Sequence, residues 1–279
     1  MFSVAIATAD RRGDLERTIS FLRSFDDIDD INIVSDADKE VLNYDFLMRD
    51  SNISVSLNED KQGPGRTKLL AIERCKHQIV LVIDDDADLI SLPSIDEARS
   101  LLKKYPVVQG LIFKDSSGGM RSFEQPFIFG SSKRFDCEIS CFVGAVHLIA
   151  KNRFIALGCY GSLSGYGYEE LDACLRIFKA GSRVFLTGLL KVIHHRTIVG
   201  RPSVKLQSRA LLTNRLTLNS YYPRILCMVA DVVWKIRFAI KYRDLELLKI
   251  AGDEKCCNSL SLSGFDLLKN RRLVHRLLV

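Results

Sequence analysis

The chain has 279 residues, 47% of them apolar and 27% charged. That is enough to bury the core of one large α/β domain, and it excludes disordered, collagen-like and coiled-coil chains. The formal charge of +6 hides an asymmetry, because residues 196–279 carry 16 Lys and Arg against 6 Asp and Glu whereas residues 1–195 carry 24 against 28.

In chain order, Phe2 to Thr8 is a short β-rich apolar run and predicts a buried strand. Leu15, Ile19, Leu22 and Phe25 then recur at helical spacing. Ile31 to Val34 predicts a second strand, closed by the acidic turn Ser35-Asp36-Ala37-Asp38, and Ile53 to Leu57 a third. Gly63-Pro64-Gly65 breaks the chain before a helix over Thr67 to Arg74, and Ile79 to Ile83 is a strand that runs straight into Asp84-Asp85-Asp86-Ala87-Asp88. Strands alternating with helices imply a mostly parallel sheet with helices on both faces, and ligands in such sheets bind beyond the carboxyl ends of the strands. Further strands are expected over Val107 to Phe113, Ile139 to Ile149, Val184 to Leu186 and Lys191 to Ile193. A glycine-rich loop is expected at Gly161 to Gly167 and a helix over Glu169 to Ala180. From about residue 200 the pattern is helical and basic.

The run at 84–88 sets four carboxylates in five positions. Like charges this close repel, and a divalent cation resolves the repulsion; hard oxygen ligands suit Mg²⁺ or Mn²⁺. A solvated acidic loop is the alternative. His194-His195 follows a short apolar strand, where imidazole can complete a Mn²⁺ site begun by carboxylates. Glu169-Glu170 opens a helix, where the dipole favours carboxylates whether or not they act as a base. Gly63 to Lys68, with Arg66 and Lys68 as cations, is a turn into a helix that could approach a diphosphate, without Walker spacing. The eight cysteines read as reduced thiols, since residues 2–9 are too short for a signal peptide, and Cys137-x3-Cys141 lacks the second pair a zinc site needs.

The order of these features over residues 2–222 resembles the family 2 glycosyltransferases of the GT-A fold. Ala7-Thr8-Ala9-Asp10-Arg11 is similar to that family's segment after the opening strand, keeping Thr and Arg but lacking Pro and Tyr. Ser35-Asp36-Ala37-Asp38 occupies the place of its Asp-Asp-Gly-Ser turn, and Ile83-Asp84-Asp85-Asp86 resembles its Asp-x-Asp motif. The longest match is Gly165-Tyr166-Gly167-Tyr168-Glu169-Glu170-Leu171-Asp172 with Leu175-Arg176 and Lys179-Ala180-Gly181. Val192-Ile193-His194-His195 and Thr213-Asn214-Arg215 resemble later segments.

The resemblance implies an inverting transferase that uses a nucleoside-diphosphate sugar and a Mn²⁺ or Mg²⁺ ion. The metal set is then Asp84, Asp86 and His194 or His195. Donor contacts are Thr8, Asp10, Arg11, Asp36, Gly63, Arg66, Lys68, Asp84 and Asp85, and acceptor contacts Tyr166, Gly167 and Glu169. Glu170 is the base, with Glu169 the fallback, where the family usually has Asp. A glycan or lipid-linked glycan is the implied acceptor. A nucleotidyltransferase that makes the nucleotide-sugar and a non-catalytic sugar-binding module on the same fold are the competing readings.

The sequence divides into a catalytic domain over 1–200 and a helical basic extension over 201–279. Ile225 to Trp234 is the most apolar late stretch, but Asp231 interrupts it and Arg224 and Lys235 flank it. It therefore falls short of the roughly 20 apolar residues of a spanning helix. Apolar residues mixed with Lys and Arg around Trp234 suit an interfacial helix on an anionic membrane surface, and the expected location is cytoplasmic, peripheral on the inner face of the membrane. No nucleic-acid-binding motif accompanies the basic charge.

Overall fold

The computed structural model describes residues 1–36, 38–48, 50–124, 127–128, 135–197, 203–221 and 224–251. Its first half is β1 (Phe2–Thr8), α1 (Arg12–Leu22), β2 (Ile28–Asp36), a 3₁₀ turn (Lys39–Asn43), α2 (Asp45–Met48), β3 (Ile53–Asn58), α3 (Pro64–Arg74), β4 (Ile79–Ile83), β5 (Ala87–Ser91) and α4 (Ile95–Lys104). The second half is β6 (Val107–Phe113), a 3₁₀ turn (Ser122–Glu124), β7 (Phe127–Ile128), β8 (Cys137–Cys141), β9 (Val146–Ala150), α5 (Lys151–Ala156), α6 (Glu169–Lys179), β10 (Val184–His194), α7 (Val204–Asn219), α8 (Arg224–Tyr242) and a 3₁₀ turn (Leu245–Lys249).

The ten strands form one sheet in the order β3-β2-β1-β4-β9-β6-β10-β8-β7, with β5 pairing β10. The first four strands in that order pair in parallel, which is the arrangement a run of βαβ crossovers produces. Beyond them the sheet is mixed. β9 lies antiparallel between β4 and β6, and β10 pairs parallel with β6 but antiparallel with β8 and β5. The expected mostly parallel sheet thus holds for the N-terminal half only. The departure arises because β8 and β9 are separate strands split at Phe142–Ala145, where one apolar run was expected.

Each face of the sheet is covered by helices and has its own core. Leu15, Ile19 and Leu22 of α1 and Ala98 and Leu102 of α4 pack on Val4, Ile6, Ile31, Ile33, Leu81 and Ile83. On the opposite face Ala71 and Ile72 of α3, Phe154 of α5 and Leu171, Leu175 and Ile177 of α6 pack on Ala5, Val34, Val80 and Val82. Strands buried on both faces explain why β1 and β4 read as continuous apolar runs. α4 starts at a reciprocal capping box formed by Ser94 and Glu97.

α7 and α8 pack together through Leu212, Leu216, Ala230, Trp234 and Phe238, joined by Leu247. They are tied to the rest of the molecule at α6. Asn214 Nδ2 donates to Gly167 O at 2.9 Å, and Tyr221 Oη donates to Asp172 Oδ1 at 2.6 Å. Asp172 in turn holds Arg176 at 2.9 Å. The expected boundary at residue 200 and the last part of the expected basic extension, from residue 252, lie outside the described residues.

Candidate active site at the carboxyl ends of β1, β2 and β4

The acidic run leaves the carboxyl end of β4 and turns at once into β5, with Ala87 N bonded to Asp84 O at 3.2 Å. This tight reversal sends its carboxylates in different directions, and each meets a cation, with Arg11 shared by Asp85 and Asp86. Lys68 Nζ lies 2.7 Å from Asp84 Oδ1. Arg11 Nη1 lies 2.7 Å from Asp85 Oδ1 and 3.4 Å from Asp86 Oδ2. Arg17 Nε and His195 Nε2 hold the two oxygens of Asp88 at 2.9 and 2.7 Å. The repulsion expected from the sequence is therefore largely offset by the chain itself.

Asp84, Asp86 and His194 bring one ligand atom each to within 4.8 Å of one another. His194, at the end of β10, reaches Asp86 Oδ1 through Nε2 at 3.1 Å and lies 3.8 Å from Asp84 Oδ2. Its Nδ1 is held by Glu124 Oε1 at 2.8 Å, and Arg121 braces Glu124 at 2.9 Å. Thr197 N donates to Asp86 Oδ2 at 2.8 Å. Two carboxylates and an imidazole backed by a carboxylate are a donor set that fits Mn²⁺ or Mg²⁺. His195 points elsewhere, onto Asp88, so of the two expected histidines only His194 stands in this cluster.

The electrostatics follow from these contacts. Burial disfavours a charged His194, but hydrogen bonds to Asp86 and Glu124 outweigh it and raise the imidazole to about 9. Burial likewise pushes Asp86 up, yet His194 holds it down to about 2. In Asp85 burial wins over Arg11 and Thr8, and the carboxyl rises to about 6.

Thr8, at the end of β1, donates Oγ1 to Asp85 Oδ2 at 2.6 Å, and Thr18 Oγ1 donates to Asp85 O at 2.9 Å. Asp85 therefore fixes the β1–α1 connection. Asp10 stands exposed in that connection in a left-handed conformation, φ 54°. Asp36, at the end of β2, accepts the backbone N–H groups of Gln62 and Gly63 at 2.7 and 3.0 Å. Gly63 has φ 86° and abuts Gly165 so closely that a Cβ there would overlap the Gly165 carbonyl. Only glycine suits both demands. Arg66, in the first turn of α3, is half-buried, and its Nε has no hydrogen-bond partner among the described residues.

The loop before α6 completes the site. Tyr166 and Gly167 present their carbonyls to Asn214, and Tyr168 caps α6 in a left-handed conformation, φ 70°. Glu169 is buried and Glu170 half-buried. Gly144 gives Glu170 its room, since a Cβ at Gly144 would overlap Glu170 Oε1, and Lys68 Nζ donates to Gly144 O at 3.1 Å. Lys68 is thus the link between the acidic turn and the α6 carboxylates. Burial followed by repulsion from Glu169 raises Glu170 well above the usual carboxylate range, with Lys68 opposing. Burial also raises Glu169.

Sequence reasoning missed Glu124, Gly144 and Thr197. Glu124 lies 70 residues from His194 in an irregular segment, so no local spacing could signal it. Gly144 was readable only as a break inside an apolar run.

No family model matches the chain, and no curated protein matches it in sequence. Solved structures do match in shape. GalNAc-T7 with UDP, GalNAc and Mn²⁺ aligns over 99% of this chain at 14% identity and a TM-score of 0.68. S. aureus TarS residues 1–349 with UDP-GlcNAc aligns over 99% of this chain and 79% of its own length, at 15% identity and a TM-score of 0.55. The chain spans 57% of the length of the GalNAc-T7 chain. At these identities the likeness shows the fold, which is that of GT-A-like glycosyltransferases.

Proposed function

We propose that the chain is an inverting glycosyltransferase of the family 2 type, moving a hexose or related sugar from a nucleoside-diphosphate donor to an acceptor hydroxyl on a glycan or lipid-linked glycan. The observation that carries this reading is the Asp84, Asp86 and His194 cluster joined through Lys68 to Glu170. It sets a cation-binding donor set and a carboxylate of raised proton affinity at the mouth of one sheet. The catalytic unit is assigned to residues 1–200, with 201–279 as its extension.

A divalent cation held by Asp84, Asp86 and His194 would supply positive charge against the leaving diphosphate. Glu124 holds the His194 ring in orientation through Nδ1. Asp85 does not reach the cluster; it positions Thr8 and Arg11 at the donor side. Asp36 and Gly63 shape the nucleoside pocket, and Arg66 stands at its α3 side. Glu170 takes the proton from the attacking hydroxyl, a step worth about 10²–10⁴-fold. Its raised affinity for a proton makes it a stronger base than an exposed glutamate once ionised. Tyr166, Gly167 and Glu169 border the acceptor. A single displacement at the anomeric carbon inverts it.

The test is calorimetric titration of UDP, GDP and dTDP with Mn²⁺ or with EDTA, on the wild type and Asp86→Ala. Both structural neighbours were solved with uridine nucleotides, so UDP comes first. Metal-dependent binding of one nucleotide, lost in Asp86→Ala, is expected. No binding under any condition would leave a sugar-binding module as the better account.

A further inference from the structure

Helix α8 buries Ala230, Trp234 and Phe238 against α7. At 3.6 residues per turn its opposite side carries Met228, Val229, Val232, Val233, Ile236 and Ile240, which are 43% to 73% exposed. A contiguous stripe of this kind differs from scattered exposed apolar residues and marks an interaction face. No acidic residue interrupts the stripe. The helix's one acid, Asp231, lies off it and accepts a hydrogen bond from Asn219 at 2.8 Å. Lys235 borders one side of the stripe and Arg237 the other.

We propose that this face of α8 lies on an anionic lipid surface, with the helix axis in the plane of the interface. An apolar stripe edged by cations along both sides is the form such helices take. The cations meet lipid phosphates while the aliphatic side chains enter the headgroup boundary, and each Lys or Arg strengthens attachment through the negative surface potential. No helix among the described residues is long and apolar enough to cross a membrane, so α8 lies on the bilayer. Charge disfavours the other occupants. A second copy would bring the same cationic borders together. Residues 252–279 carry 5 Lys and Arg against 3 Asp and Glu, again the same sign. Because α7 fastens α8 to Gly167 and Asp172, attachment here would hold the α6 loop close to the bilayer. The surface is argued independently of the transferase reading.

The experiment is flotation of the full chain with phosphatidylcholine vesicles that contain or lack phosphatidylglycerol. Flotation is expected only with phosphatidylglycerol. It is expected to fall about tenfold or more in high salt and in Val232→Ser/Ile236→Ser/Ile240→Ser, and severalfold in Arg237→Gln. These positions are exposed, so an unchanged Tm separates lost attachment from lost folding, and the salt response of the wild type stands without any variant. Absence of flotation, or equal flotation with both vesicles, overturns the proposal. A concentration-dependent dimer that the serine variant abolishes assigns the face to a second copy and overturns it as well.

Discussion

Lys68 Nζ sits 2.7 Å from Asp84 Oδ1, with 5% of the lysine side chain exposed. A buried ammonium is unfavourable, yet Asp84 first and Glu170 second hold Lys68 charged, above its usual range. One cation therefore compensates the acidic turn after β4 and the carboxylates that open α6. Lys68→Met leaves these carboxylates without it. The expected loss is on the order of 3 kcal/mol of stability at neutral pH, as when one partner of a buried pair is removed. Urea denaturation of the metal-free protein measures it; a loss under about 1 kcal/mol would show that Lys68 is not the main counter-charge.

His194 gives the metal site a pH signature. It is held protonated up to about 9 in the metal-free protein, burial notwithstanding, by Asp86 and Glu124. A ligating imidazole must be neutral, so metal binding displaces that proton. Apparent Mn²⁺ affinity should rise about tenfold per pH unit as pH climbs toward about 9 and then level. Calorimetry in two buffers of different ionisation enthalpy counts the proton directly, and a pH-independent affinity would remove His194 from the ligand set. The same shift fixes a stability trend. A folded-state value above the unfolded one means stabilisation that is full below about 6.5 and is lost as pH rises through about 9.

Glu170 couples activity against stability. Its raised proton affinity comes from burial and from Glu169, so the folded state favours the protonated acid. For a carboxyl raised in this way, folding stability falls as pH climbs above the ordinary Glu range, because the native state then holds a proton that the unfolded chain has lost. Glu170→Gln removes that cost and keeps the shape. The variant should melt higher than wild type at neutral pH while transfer falls about 10²–10⁴-fold. An unchanged kcat would pass the base role to Glu169.

How far the sequence showed these relationships depends on whether they are local. Asp84 to Asp86 stood out because an apolar strand, β4, runs directly into carboxylates. Glu169 and Glu170 stood out because a glycine loop precedes a helix start. β5 was hidden because Ala87–Ser91 shares its residues with the acidic run and is a strand only through pairing with β10. Val184–Leu186 and Lys191–Ile193 read as two pieces because the β10 register shifts between them, where Thr187 Oγ1 turns aside to Asp136 Oδ1 at 3.0 Å. Glu124 and Lys68 take their roles from partners 70 and 16 residues away, distances at which spacing rules carry no information.

Gly144 separates base placement from metal binding. It lies in the turn between β8 and β9, and the nearest atoms a Cβ there would meet are the far end of Glu170 and the Lys68 ammonium. Both are ends of flexible side chains, so Gly144→Ala should fold, with a stability change within about 1 kcal/mol. The added methyl displaces the Glu170 carboxylate from its place beside the carbonyl that Lys68 holds. An interaction needed only in the transition state is then lost, and kcat and kcat/KM should fall together by about tenfold or more. Asp86 and His194 are not among the nearest atoms the methyl meets, so Mn²⁺ affinity should stay near the wild-type value, whereas Lys68, the partner of Asp84, shifts with the change. A KM rise at constant kcat would instead place Gly144 in the donor pocket and move the base away from Glu170.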